Sequence, residues 1–441
     1  MDERPALRLR STTNTTGIRV ATYEPNWLLI ALPTIFGLGT VLPSRLTLWL
    51  LIGIGVVGFW WRRPAEVGGI NRIAFTWGSA VLPVLSLAVI LRPNGTATVS
   101  DVARLVIGLI VFLHILQLSG SRSSAVVSLI DGVGVFLIAS VVLTFIGVEG
   151  GSDRTAGLEN SLTGGQRIIF ALSSNLAATP GAAGVFVAAV IPILIAYRQF
   201  RFWRLTALAF ACYILIASQV RMAILVAVVV SFFVFVFPRA TSAISAWLIA
   251  FLLLLPFFFR SSQSEFLGRL GGVVSASVPG MSDRGDVVGA RQDIWEKALA
   301  YQSAWADWAH QVFGYGLSGH TESGAAIAYT TAENFAGFAG RDLITPHNST
   351  LMLLFEAGWL GVAVFTASLV FAARLFARSH SPSDRAALSA LIGLALVGST
   401  ESGLSAGVNQ TIWWLLLGLV NAAFSRGEQL EALREPVARR G

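Results

Sequence analysis

The chain has 441 residues, of which 54% are apolar and only 12% charged, and its mean hydropathy is +0.70. Soluble domains carry roughly one-quarter charged residues, so this composition excludes a soluble globular protein and indicates an integral membrane protein. The net charge of +7 is not concentrated in a basic patch with interleaved aromatic residues, and we therefore expect no binding to nucleic acid.

The apolar runs predict an all-α membrane protein with about twelve transmembrane helices. A helical span needs roughly 20 apolar residues, and the alternating segments of about ten residues that are typical of a membrane barrel do not occur. The predicted spans are residues 26–42, 46–61, 73–91, 102–118, 125–148, 168–197, 205–218, 222–237, 244–259, 349–376, 387–404 and 411–424. The predicted domains are an N-terminal tail (1–25), helices one to nine (26–259), a large external loop (260–346), helices ten to twelve (347–424) and a C-terminal tail (425–441).

The basic residues predict the orientation, because loops that stay in the cytoplasm retain Lys and Arg during insertion. With the N-terminus inside, most of the basic residues fall in the tails and in the loops on that side, among them Arg62, Arg201 and Arg204. Both termini are therefore predicted to be cytoplasmic, and the first span is expected to be retained rather than cleaved as a signal peptide. Cys212, the only cysteine, falls inside a span, so we expect no disulfide and no metal-thiolate site.

The large external loop is predicted to contain an amphipathic helix. In "RQDIWEKALAYQSAWADWAH", residues Trp295, Leu299, Gln302, Trp305 and Trp308 recur at roughly helical spacing, and the glycine-rich "FGYGLSG" follows. We expect this helix to lie across the outer mouth of the bundle, with its tryptophans at the membrane interface.

Four residues predicted on the outer side have side chains suited to phosphate-dependent chemistry: Arg167, Arg221, Arg291 and His347. The planar guanidinium of arginine matches phosphate oxygens and stays charged, so converging arginines would hold a pyrophosphate without a metal ion or cofactor. Histidine accepts a proton near neutral pH. Together these residues predict transfer from a phosphate-activated donor to a hydroxyl group.

The order of "QRIIFALSSNLAA", an arginine at a tight hairpin, "GARQDIWEKAL", "FGYGLSG" and "PHNSTLMLLFEAGWLG" resembles the O-antigen ligase and O-antigen polymerase superfamily. These proteins are membrane glycosyltransferases that take glycans from polyprenyl diphosphate carriers at the outer face of the bacterial inner membrane. The resemblance implies an inverting transfer to a glycan or lipid acceptor, with an extracytoplasmic active site. It does not separate a ligase from a polymerase.

The same resemblance assigns roles to particular residues. It makes His347 the base for the acceptor hydroxyl, and it implies that Arg221 and Arg291, with Arg167, bind the donor diphosphate. Supporting roles fall to Asn348, Trp295 and Ser218. The sequence departs from the family pattern at Val220, where many relatives have serine, and before Asn175, where the usual proline is absent.

Other interpretations stay open at this point. His347 would be a bystander if Asn348 or Ser349 simply caps the tenth span, and Arg291 would be a loop residue paired with Asp293 or Glu296. Arg221 would then be a snorkelling residue at a helix end.

Other classes of protein also fit parts of the sequence. "SDRGD", with Asp283 and Asp286, is the nearest candidate for a metal site, and a serine nucleophile beside His347 is a further alternative. The main alternative to a transferase is a transporter of lipid-linked oligosaccharide or polysaccharide. A structural membrane subunit is a further alternative. A transporter should have arginine residues at several depths along its path through the membrane. Here the candidate arginines are all predicted at one face of the membrane.

Four ionisable residues are predicted inside spans: His114, Asp131, Glu356 and Glu401. Such residues are functional hypotheses by default. We expect structural roles for Asp131 and His114, while the sequence leaves the roles of Glu356 and Glu401 open.

Overall fold

The computed structural model describes residues 24–42, 44–61, 99–119, 121–148, 168–173, 177–258, 287–330, 345–379, 381–404 and 411–423. The regular structure within these residues is helical. The helices are α1 (Trp27–Leu38), α2 (Ser44–Trp61), α3 (Val99–Gln117), α4 (Arg122–Phe145), α5 (Ala178–Ala196), α6 (Arg201–Ser218), α7 (Arg221–Val236), α8 (Pro238–Phe258), α9 (Val287–Trp305), α10 (Trp308–Phe313), α11 (Gly319–Glu322), α12 (Ala325–Thr330), α13 (Ser349–Ala377), α14 (Pro382–Gly398) and α15 (Thr411–Ala423).

Five of these helices are long and apolar enough to cross a membrane: α4, α5, α6, α8 and α13. Shorter apolar helices or parts of helices lie at Trp27–Leu38, Leu46–Gly58, Arg104–Leu116, Arg221–Val236 and Thr411–Ala423. The third predicted span, 73–91, lies outside the described residues, so the count of twelve stays a prediction. The repeated apolar helices identify a multi-pass membrane protein.

The predicted span 168–197 is wrong at its beginning, because its helix, α5, begins only at Ala178. Residues 168–173 are not helical. Their backbone hydrogen bonds go to helix ends instead: Ile168 N–H donates to Ala217 O at 3.3 Å, and Ala171 N–H donates to Thr144 Oγ1 at 2.9 Å. Irregular backbone among membrane helices is tolerated where protein groups satisfy it in this way.

The helix α13 is interrupted at Gly358, which the sequence did not predict. Gly358 has φ +64° and ψ −169°, a conformation that glycine adopts without the penalty other residues pay. The loop between α10 and α11 fills the interruption, because Tyr315 N–H donates to Phe355 O at 2.6 Å and Gly316 N–H donates to Glu356 O at 2.9 Å. A Cβ on Gly358 would lie 2.3 Å from the Val312 carbonyl, so the loop and the break fit together only because residue 358 is glycine.

The described part of the segment 260–346 folds into four helices, α9 to α12, of which α9, α10 and α11 contact α13. The prediction of one amphipathic helix with interfacial tryptophans is wrong in two respects. The helix ends at Trp305, and Trp308 begins the next helix after the N-cap Asp307. Trp295 and Gln302 are buried within the protein, whereas Trp305 and Trp308 are 76% and 74% exposed.

Two ion pairs stabilise the end of the bundle at which α4, α6 and α14 begin, on the predicted cytoplasmic side. Arg204 is fully buried and forms a bidentate pair with Asp131, at 2.7 and 2.8 Å. Arg122 pairs with Asp384 at 2.7 Å. Arg204 was expected in a cytoplasmic loop and instead lies inside α6, while the pair gives Asp131 the structural role that the sequence favoured.

Candidate functional site

His347 lies immediately before α13 in a conformation that is unusual for a residue with a side chain. Its φ is +49°, in the left-handed region that costs L-residues roughly 1 to 2 kcal/mol. Its side chain is 35% exposed, so the imidazole is accessible although its neighbours are buried. Strained residues of this kind cluster at functional sites, and His347 therefore becomes a candidate on structural grounds as well.

Asn348 provides the N-cap of α13, so His347 does not. The Asn348 Oδ1 accepts hydrogen bonds from Thr350 N–H and Leu351 N–H, both at 2.9 Å, and its Nδ2 donates to Ser399 O at 2.8 Å. Asn348 is fully buried. This side chain thus closes the start of α13 and joins it to the end of α14, and its three bonds explain asparagine at position 348 without any role for the histidine.

Ser349 adds a second link between the same two segments. Its Oγ donates to Glu401 O at 2.5 Å and accepts from Leu404 N–H at 3.0 Å. The predicted span 387–404 is therefore wrong at its end: α14 ends at Gly398, and the chain then turns back toward Ser349. This turn carries Glu401 to the histidine.

Glu401 is the acidic partner of His347. The Glu401 Oε2 lies 3.7 Å from His347 Nδ1, and the Glu401 side chain is only 15% exposed. This distance is longer than a direct hydrogen bond and within the range of an ion pair. The contact is made through Nδ1 and not through Nε2.

Trp295 holds the other side of the segment before α13. Its indole Nε1 donates to Pro346 O at 3.0 Å, and the side chain is 7% exposed. Arg291 lies on α9 one helical turn before Trp295. The Trp295 bond therefore fixes the part of α9 that carries Arg291 beside the peptide that carries His347.

Arg221 is the first residue of α7, directly after the tight turn from α6, as the sequence predicted. Gln219 makes this turn with φ +52°. Arg221 is exposed, whereas Ser218 is fully buried, and its Oγ has no hydrogen-bond partner among the described residues. The hairpin thus presents an accessible arginine beside a buried hydroxyl group.

Arg221 and His347 lie at the same end of the bundle. A Cβ on Gly398 would lie 3.4 Å from Ser349 Oγ, which places the end of α14 at the start of α13. A Cβ on Gly181 would lie 3.2 Å from Val397, and one on Gly184 would lie 2.4 Å from Ala223 O, so α5 joins the end of α14 to the first turn of α7. We call this the His347 end of the bundle.

Glu356 lies in the half of α13 that begins next to His347 and is 2% exposed. Its carboxylate accepts a hydrogen bond from the Ser318 backbone, and its Oε2 has no partner among the described residues. Glu356 therefore contacts the loop that fills the break at Gly358.

Several expectations fall on residues that the structure does not describe. Arg167 and the pair Asp283 and Asp286 lie outside the described residues, and the side chain of Arg291 is not described either. Within the described part of the chain, no three His, Cys, Asp or Glu side chains form a group that would hold a metal ion.

Sequence reasoning missed the pairing of Glu401 with His347 and the interruption at Gly358. The first joins residues that are far apart in the chain, and the only sequence signal was an acid in the polar "STES" after an apolar run. The second had a local signal, a glycine between a glutamate and a tryptophan in "FEAGWLG". Apolar composition on both sides of the glycine concealed it.

Comparison with known proteins gives one family match. Residues 205–366 match the family model described as O-antigen ligase. The matched segment contains Arg221, Arg291 and His347 but not Glu401. Comparison with curated proteins gives no match. This match agrees with the resemblance to the O-antigen ligase and polymerase superfamily that the sequence motifs predicted.

Proposed function

We propose that the chain transfers or polymerises a glycan from a polyprenyl diphosphate carrier onto a hydroxyl acceptor, at the extracytoplasmic face of the bacterial cytoplasmic membrane. The observation that carries the proposal is the environment of His347. A partly exposed imidazole, held on both sides by buried hydrogen bonds and paired with Glu401, lies in a segment that matches the O-antigen ligase family model.

The proposed reaction is a single displacement. The acceptor hydroxyl oxygen attacks the anomeric carbon while His347 Nε2 takes the hydroxyl proton, and the bond from that carbon to the diphosphate oxygen breaks. The products are a new glycosidic bond, an imidazolium paired with Glu401 and a polyprenyl diphosphate. One displacement inverts the configuration at the anomeric carbon, and positioned proton transfer of this type typically contributes about 10² to 10⁴ to the rate.

Arg221 and Arg291 would neutralise the charge on the departing diphosphate. A bound metal ion is unnecessary in this scheme, because guanidinium groups supply both charge and paired donors to phosphate oxygens. Two observations support these roles: Arg221 is exposed at the His347 end of the bundle, and Arg291 lies one turn from the residue that bonds Pro346. Arg167 remains a proposed third contributor.

Both termini are proposed to be cytoplasmic, which places the His347 end of the bundle outside. A cysteine introduced for Ala406 or for Ser11, in a chain with Cys212 replaced by serine, tests this orientation. A membrane-impermeant maleimide applied to intact cells or right-side-out vesicles should label the first and not the second. The reverse pattern would place the site on the cytoplasmic side.

The direct test of the function is transfer by the purified chain in liposomes, supplied with a polyprenyl-diphosphate-linked glycan. Two acceptor arms, a second carrier-linked glycan and a lipid acceptor, separate polymerase from ligase activity. Transfer should continue in excess chelator. Loss of transfer in chelator that magnesium or manganese restores would overturn the metal-independent mechanism, and movement of the intact donor across the bilayer without transfer would support the transporter instead.

A further inference from the structure

A cavity lies at the opposite end of the bundle from His347, between the beginning of α8 and the end of α13. Its volume is about 280 Å³, and it is lined by Ser242, Ser245, Trp247, Arg374 and Arg378. This volume is just below the range of roughly 300 to 1,000 Å³ for small-molecule sites. The cavity therefore suits a compact group such as a lipid headgroup and is too small for a glycan chain.

The two arginines of this cavity have no side-chain partner within the described part of the chain. Arg374 lies in the last turn of α13 and Arg378 is the C-cap residue one turn later. Both are exposed, and neither forms an ion pair or side-chain hydrogen bond with any described residue. At the same end of the bundle, Arg204 pairs with Asp131 and Arg122 pairs with Asp384. The arginines that pack within the fold are thus neutralised by carboxylates. The charge of the cavity arginines is not neutralised by any described residue, so an anion from outside the protein can bind them.

The hydroxyl groups of the cavity do not donate hydrogen bonds to such an anion. Ser242 Oγ donates to Pro238 O at 2.9 Å, and Ser245 Oγ donates to Ser242 O at 3.0 Å. Their protons are therefore committed to the backbone, and the donors left for a ligand are the two guanidinium groups and the indole N–H of Trp247. Paired guanidinium donors suit phosphate oxygens in particular.

An exposed apolar surface leads away from the cavity along both helices. On α8, Ile244, Trp247 and Phe251 have the spacing of one helix face and are 53%, 72% and 55% exposed. On α13, Phe371 is 54% exposed and precedes Arg374 by one turn. An anion with acyl chains would bury this surface, whereas a soluble phosphate would not.

We propose that this cavity binds the phosphate of an anionic phospholipid, with the acyl chains lying along α8 and α13. Arg374 and Arg378 would bind the phosphate oxygens, and Trp247 would lie at the headgroup level, where tryptophan is enriched in membrane proteins. Basic pockets between helices are suited to acidic headgroups. The site is separate from the proposed transferase site and does not depend on that function.

The test is lipid binding to the delipidated full-length protein in detergent, measured by native mass spectrometry. The native chain should bind dioleoyl phosphatidylglycerol more tightly than dioleoyl phosphatidylcholine. Arg374→Gln and Arg378→Gln should each weaken phosphatidylglycerol binding about fivefold, the effect expected for one basic residue at a lipid surface. Arg385→Gln removes an exposed arginine at the same end of the bundle, outside the cavity, and should leave binding unchanged.

A second variant keeps the test independent of the arginines. Ala243→Phe fills the cavity from an exposed position and should weaken phosphatidylglycerol binding without altering thermal unfolding. Equal binding of the two lipids, or native binding by both arginine variants and by Ala243→Phe, would overturn the proposal. Displacement of phosphatidylglycerol by inorganic phosphate at equal concentration would assign the cavity to a soluble phosphate and overturn the lipid assignment.

Discussion

Replacing Glu401 with glutamine should slow glycan transfer about tenfold without weakening donor binding. Glu401 Oε2 lies 3.7 Å from His347 Nδ1, and unit charges at about this distance interact by about 1 kcal/mol in bulk water and about 4 kcal/mol at an effective dielectric constant of about 20. Because the two side chains are 35% and 15% exposed, the lower part of this range applies, about 1 to 2 kcal/mol. This free energy arises only when His347 has taken the acceptor proton, so it lowers the barrier rather than the energy of the bound donor.

The assay is single-turnover transfer in nanodiscs, with donor affinity measured separately on the same preparation. The backbone contacts of residue 401 with Val397 and Ser349 remain in the glutamine variant, so the turn that carries it should persist. Glu24→Gln removes an exposed carboxylate at the opposite end of the bundle and serves as the control. Transfer at the native rate by Glu401→Gln, or a loss of donor affinity that accounts for the slower transfer, would refute the reasoning.

Three further predictions concern the loop and the donor site. Gly358→Ala should lower the thermal unfolding temperature, because the left-handed backbone and the approach of Val312 leave no room for a Cβ; Gly53→Ala, where a Cβ meets nothing within 4 Å, should not, and equal effects would contradict the fit at Gly358. Arg221→Ala should weaken donor binding and slow transfer, and Arg221→Lys should restore both only partly because lysine lacks the planar fork; unchanged donor affinity in Arg221→Ala would remove this residue from the site. Burial lowers the pKa of His320 to about 4, so the stability of the native chain relative to His320→Gln should be complete above pH about 6.5 and fall as the pH drops from there to about 4; parallel pH profiles of thermal unfolding for the two proteins would contradict it.

The sequence predicted the features that depend on neighbouring residues. A long apolar run is local information, so the positions of most helices were predictable, and so was Arg221 at the tight turn between α6 and α7. Asn348 as an N-cap was predictable for the same reason, because capping involves residues two or three positions along the chain.

Contacts between distant segments were not predictable from one sequence. The approach of Glu401 to His347 depends on how the turn after α14 folds back against Ser349. The pair of Arg204 with Asp131 depends on the packing of α6 against α4. Charge counting placed Arg204 in a loop because hydropathy alone does not distinguish a buried, paired arginine from one at a membrane surface.

The predicted ends of spans were wrong where hydrogen bonds to other parts of the protein replace those of a helix. Ile168 and Ala171 are apolar, and their composition favoured a helix, yet their N–H groups bond to Ala217 and Thr144. Hydropathy assigns residues in such positions to a membrane helix, because the scale scores the side chain and not the hydrogen-bond partner of the backbone.

The measurement that tests the central claim most directly is single-turnover transfer by His347→Ala in nanodiscs, with donor binding measured in parallel. If His347 takes the acceptor proton, transfer should fall by about 10² to 10⁴ while the affinity for the polyprenyl-diphosphate donor stays nearly native, because Arg221 and the segment around Arg291 remain in place. If His347→Ala transfers glycan at the native rate, the residues before α13 serve only to begin and cap that helix, and the proposed mechanism is contradicted.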